Sequence, residues 1–159
     1  MIFLTIGTHE PFDRLVEAMD RWAGASGVEV FAQGAGRYRP RHFELVHKLD
    51  PDSYRARVEA ADFLVAHAGM GSIITALDCG KPIVVMPRRG HLNETRNDHQ
   101  WATARQLASV PGILVAEDEA ALPALLDRLV AGDRPAEVQR LSPWASDELI
   151  AAVRGVIQA

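Results

Sequence analysis

Three short segments hold the residues whose types and spacing could do chemistry: Gly7-Thr8-His9, His67-Ala68-Gly69-Met70-Gly71-Ser72, and the polar stretch from Pro87-Arg88-Arg89 to Asn97-Asp98-His99-Gln100. The second lies between an apolar run, Asp62-Phe63-Leu64-Val65-Ala66, and an apolar helical stretch. A strand, a glycine turn and a helix start in that order make a phosphate-binding geometry. Glycines let backbone approach an anion, and the first N–H groups of the helix, unpaired within it, point at the ligand. The third segment follows another apolar strand, Pro82–Met86, so polar turns sit at successive strand ends. Hydroxyl, imidazole, amide and guanidinium groups converging there suit a polar, anionic ligand.

Several other chemistries lack their residues. His91 and His99 do not have the i,i+4 spacing of a helical metal pair, and no carboxylate-rich cluster accompanies them. The chain has no Gly-x-Ser-x-Gly elbow, Walker loop or dinucleotide fingerprint. Cys79 falls in a predicted helix and reads as a small core filler. Arg37-Tyr38-Arg39-Pro40-Arg41-His42 is a local basic stretch, either a solvated loop or a contact for lipid phosphates or a partner surface. His67 either caps its strand or faces the ligand.

The elements that must position these turns alternate along the chain. Strands are expected at Ile2–Ile6, Val28–Ala32, Glu44–Lys48, Asp62–Ala66, Pro82–Met86 and Gly112–Val115. Helices are expected from Pro11, with Phe12, Leu15, Val16, Met19 and Trp22 on one face, and at Pro51–Ala61, Ser72–Cys79, Asp98–Ser109, Glu119–Val130 and Pro143–Ile157. This pattern implies an α/β, Rossmann-like parallel sheet with helices on both faces and ligands at the carboxyl ends of the strands. With 159 residues, no repeat and no linker, residues 1–159 are expected to form a single domain.

Composition narrows the setting. Apolar residues are 48% and charged residues 24%, the balance of a soluble globular chain. A net charge of -4 argues against nucleic acid as a partner. One cysteine excludes an internal disulfide and suits a reducing compartment. No signal peptide is expected, and no run approaches the ~20 apolar residues that span a bilayer.

Taken in order, His67–Ser72, Gly80-Lys81-Pro82-Ile83-Val84-Val85-Met86-Pro87 and Asn97–Gln100 resemble the C-terminal, donor-binding half of family-28 glycosyltransferases. The opening Thr5-Ile6-Gly7-Thr8-His9-Glu10-Pro11-Phe12-Asp13-Arg14-Leu15 is similar to the start of stand-alone versions of that half. Such subunits catalyse in the two-part UDP-GlcNAc transferase of N-glycan assembly and in bacterial exopolysaccharide counterparts. The resemblance covers about residues 1–130.

It implies one half of a GT-B fold that binds a UDP-sugar without a metal or other cofactor. Gly69, Gly71 and Ser72 would face the diphosphate, with Gly7 and Thr8 lining the cleft and His67 and Met70 also counted among the donor-binding residues. Gln100 would hold sugar hydroxyls within the Asn97, His99 and Gln100 motif. The family usually has a glutamate for the ribose where this chain has Thr75, and Asp78, one helical turn on, could substitute. Helix dipoles with Arg88 or Arg89 could stabilise the leaving diphosphate. His9 is the candidate catalytic base within this chain.

The resemblance also implies an inverting hexosyltransferase subunit working at the inner face of the cell membrane. A membrane-anchored, acceptor-binding partner would supply the second wall and a lipid-linked acceptor. The C-terminal stretch Pro143–Ile157, with Trp144, Leu149, Ile150 and Val153, would cross to that partner or close this domain's own core. The rivals are a non-catalytic sugar-nucleotide sensor or scaffold, which would use the same pocket without transfer, and an epimerase, which needs both halves of its cleft in one chain.

Overall fold

The computed structural model describes residues 1–96 and 98–138. Six strands form one parallel sheet: β1 (Ile2–Thr5), β2 (Val30–Gln33), β3 (Glu44–Val46), β4 (Phe63–His67), β5 (Ile83–Met86) and β6 (Ile113–Val115). Their spatial order is β3-β2-β1-β4-β5-β6. β1 is the hinge of the topology, pairing Ile2 with Val30 on one side and with Phe63 on the other. The chain builds outward to β3, then returns to lay β4 against the opposite side of β1. At such a switch point the loops leave the sheet in opposite directions and open a crevice above the strand ends.

Two apolar layers sandwich the sheet. Alternate strand residues Ile2, Leu4, Phe63, Val65 and Val84 meet Phe12, just before α1 (Asp13–Ser26), Leu15, Met19 and Trp22 of α1, and Leu122, Leu126 and Leu129 of α5 (Leu122–Val130). Phe3, Leu64, Ile83 and Val85 face the other way, onto Val58 of α2 (Pro51–Ala60), Ile73 and Ala76 of α3 (Met70–Asp78) and Ala104 of α4 (His99–Leu107). Burial on both faces explains why the strands read as unbroken apolar runs. Each large side chain so buried contributes about 1.5–3 kcal/mol.

Several element ends differ from the sequence expectation, each with a local cause. α1 begins at Asp13, not Pro11: the carbonyls of Glu10 and Pro11 accept from the Arg88 guanidinium instead of opening a helical ladder. Its far end is closed by Gly27 at φ 68°, whose N–H reaches Ala23 O. α5 begins at Leu122 and not Glu119, because the Asp118 carboxylate takes the N–H groups of Ala120 and Ala121 in a preceding turn. α2 agrees closely, with Asp50 accepting from Ser53 N–H at 3.0 Å and Pro51 in the first turn. A 3-10 turn, Gly90–Leu92, was not anticipated. Cys79 caps α3 half-buried, and burial pushes its thiol up, as suits a filler. The expected helix 143–157 lies outside the described residues.

Among the described residues no helix is long and apolar enough to cross a membrane.

Candidate donor site at the carboxyl edge of the sheet

After β4 the helix opens two residues earlier than expected. Gly69 is extended and caps α3, which starts at Met70. The first helical N–H to find a carbonyl is that of Ile73, on Gly69 O at 3.4 Å. The N–H groups of Met70, Gly71 and Ser72 therefore have no intrahelical partner at the positive end of the dipole. Ser72 is buried, while a Cβ built on Gly71 would meet nothing within 4 Å. Gly71 thus faces open space, not protein.

His67 fixes the turn. The Gly69 N–H donates to His67 Nδ1 at 3.1 Å, so the ring proton belongs on Nε2. That nitrogen packs against Gly7, where a Cβ would come within 3.0 Å of it. Gly7 has φ 76°, a left-handed conformation that favours glycine. Burial, with a smaller push from the Arg88 charge, lowers the His67 pKa below the usual imidazole value. The folded ring is neutral. It spans the strand end and the edge of the smaller hollow at once.

Two adjoining hollows result. One, of about 170 Å³, is lined by Ile6, Gly7, Thr8, His9, Glu10, His67, Arg88 and Gln100. The other, of about 340 Å³, takes in Gly7, Thr8, Gly71, Ser72 and Thr75 along with Thr5, Gln33, Lys48, Leu49 and Tyr54. His9 is exposed at the rim, its Nδ1 3.4 Å from Thr8 Oγ1. Gln100 is 7% exposed, and its Oε1 accepts from Arg88 N–H at 3.2 Å. The structure thus brings Gly7, Thr8, His9, His67, Gly71, Ser72, Thr75, Arg88 and Gln100 to one edge.

Three charged side chains expected at the ligand are held by protein partners. Arg88 is 2% exposed, and its two terminal nitrogens donate to the carbonyls of Ile6, Glu10, Pro11 and Glu94, with Phe12 beneath the guanidinium. It ties the β1 and β5 loops together while lining the smaller hollow. Arg89 turns to Glu117 O and lines a separate hollow with His91, Asp98 and Trp101. Asp78 lines neither hollow: its Oδ2 is held by Arg55 at 3.1 Å on the α2 side. The Thr75 hydroxyl donates back to Gly71 O. His99 opens α4, exposed, and lines neither hollow. Asn97 is not among the described residues.

Sequence reasoning passed over Thr5, Gln33, Lys48, Leu49 and Tyr54. Polar Thr5 and Gln33 at the ends of otherwise apolar strands were the available signal, and their side chains bond each other at 3.0 Å. It also missed two brackets beneath the basic stretch. Asp13 accepts from the N–H groups of Arg37 and Tyr38, and buried Asp20 from those of Arg41 and His42 and from the Tyr38 hydroxyl. Burial raises the Asp20 pKa, but these donors outweigh it and hold the carboxyl below its usual range. Among the described residues no group of three or more His, Cys, Asp or Glu side chains could hold a metal ion.

Comparison with known proteins follows this geometry. UDP-N-acetylglucosamine transferase subunit ALG13 of Homo sapiens is 31% identical over 119 residues, 67% of this chain and 10% of that protein. The chain therefore spans about a tenth of the length of the curated relatives it matches. The solution structure of ALG13 superposes with a TM-score of 0.59 at 15% identity, covering 96% of this chain and 93% of the other. Spinosyn forosaminyltransferase SpnP superposes with a TM-score of 0.67 at 16% identity, over 99% of this chain but 43% of its own. The fold is thus one Rossmann-like half of a GT-B molecule. The profile of the glycosyltransferase family 28 C-terminal domain matches residues 1–141, and the chain belongs to that family.

Proposed function

We propose that this chain, one domain over residues 1–159, is the donor-binding subunit of an inverting, UDP-sugar-dependent glycosyltransferase. It works with a membrane-anchored, acceptor-binding partner in exopolysaccharide or lipid-linked glycan synthesis, peripheral to the inner face of the membrane. The observation that carries the reading is the bare N-terminal turn of α3 facing Gly7 across the β1/β4 switch. The human relative, a UDP-N-acetylglucosamine transferase subunit by name, supports the choice of donor.

In the reaction an acceptor hydroxyl oxygen attacks the anomeric carbon, and the bond from that carbon to the diphosphate oxygen breaks. Configuration inverts and the acceptor proton passes to a base, for which His9 is this chain's candidate. Negative charge grows on the leaving diphosphate. The N–H groups of Met70, Gly71 and Ser72 are aligned for it beforehand, so little reorganisation is needed as it develops. Gln100 holds the sugar beside neutral His67.

Hollows of about 340 and 170 Å³ lie at or below the low end of the roughly 300–1,000 Å³ typical of ligand sites. That supports a cleft completed from outside. Met70 and Ile74, one turn apart on α3, are 49% and 46% exposed beside it, an apolar landing for a partner.

Calorimetry with UDP tests the donor site. Binding that persists in EDTA and is abolished by Gly71→Val, in a protein that still melts cooperatively, is expected. Binding that vanishes with EDTA would refute the metal-free reading. Transfer to a lipid-linked acceptor, assayed with and without membranes holding the partner, tests the two-subunit arrangement. Full transfer by the purified chain alone overturns it.

A further inference from the structure

We infer that Lys48 supplies the cationic contact to the donor's phosphates. The inference rests on the donor-binding reading above and deepens it. Lys48 stands two residues beyond β3, exposed, and lines the hollow that holds Gly71, Ser72 and Thr75. It also lines the adjoining groove with Leu49, Asp52, Tyr54 and Arg55, so its flexible four-carbon stem can swing between the two.

The other cations near this edge are engaged. Arg88 is bound into four carbonyls, and Arg55 is held by Glu59 and Asp78. Lys81 donates to Ala61 O. Among the described residues the Lys48 ammonium has no hydrogen-bond or ion-pair partner, and the nearby Asp52 makes no bridge to it. Backbone N–H groups offer a diphosphate only partial positive charge, so a full unit charge able to reach it compensates what they leave.

Position and pairing thus select Lys48 over the two arginines that the sequence favoured. The missing carboxylate at Thr75 agrees with this. An acid there would draw the ammonium away from the phosphates and into an ion pair.

The test is calorimetry with uridine, UMP and UDP at two salt concentrations, on the unaltered chain, Lys48→Met and Lys48→Arg. Because Lys48 is exposed, Lys48→Met is expected to melt as the unaltered chain does. Its UDP affinity is expected to fall about tenfold, the size of one partly solvated charge-assisted contact. UMP should lose less and uridine nothing. Raising the salt should shrink the loss, and Lys48→Arg should keep most of the affinity. Equal UDP binding by the unaltered chain and Lys48→Met overturns this inference alone, as does an equal loss for uridine and UDP. Failure of the unaltered chain to bind UDP overturns the donor-site reading as well.

Discussion

Replacing Arg88 by Met should unfold the loops over the cleft more readily than any change at the cleft surface. The guanidinium donates to Ile6 O and Pro11 O at 2.6 Å, Glu10 O at 2.7 Å and Glu94 O at 3.1 Å. At roughly 1.5–3 kcal/mol each for charge-assisted bonds, the four sum to about 6–12 kcal/mol. Burying the guanidinium costs several kcal/mol. That cost is visible in its pKa, which burial lowers against the pull of Glu10 and Glu94. A net loss of about 3–5 kcal/mol follows, since Met keeps the stem but leaves the carbonyls unpaired. With an m-value near ~2 kcal/mol/M for a domain of this size, the urea midpoint should drop by about 1.5–2.5 M. Arg88→Lys should fall between, because an ammonium cannot fork to both loops. A midpoint within about 0.5 M of the unaltered chain, at unchanged m, would refute the bracing role. Selective loss of UDP over uridine in a still-folded Arg88→Met would return Arg88 to the phosphate.

Other consequences are open to measurement. Gly69→Ala drives a Cβ into the His67 ring, so it should lower the melting temperature where Gly71→Val does not; equal melting of both would remove the His67–Gly69 buttress. Below about pH 6.5 an unfolded chain protonates His67 while the folded ring resists, so stability should decline as pH falls from there toward the lowered folded value. His67→Gln should flatten that slope, and an unchanged slope would assign it to other groups. Asp20→Ala removes the acceptor for three donors in residues 38–42, so trypsin should cut after Arg37 or Arg41 faster than in the parent chain; unchanged cutting would show that Asp13 suffices.

The sheet and the glycine turn were legible because their causes are local. Doubly buried parallel strands must be apolar throughout, and a strand followed by Gly69, Gly71 and Ser72 has few other uses. The anchoring of the arginines went unread because their partners are distant. Arg88 bonds carbonyls 77, 78 and 82 positions away, and backbone oxygens leave no mark in a sequence. Asp78 was matched by helical spacing to the cleft, but spacing could not reveal Arg55 waiting on the neighbouring helix. Lys48 escaped notice for a related reason: its worth lies in what its neighbours fail to do.

Gln100 has one more consequence. Arg88 N–H already occupies its Oε1, so the amide has no choice of orientation, and Nε2 is the end left for whatever enters. The site therefore has a polarity at this point: the group turned toward a ligand offers hydrogens. A ligand oxygen is greeted through its lone pairs, and an ammonium in the same place meets two N–H bonds head-on. Discrimination between a sugar hydroxyl and an amine of similar size would then come from a backbone amide on β5's loop that touches neither.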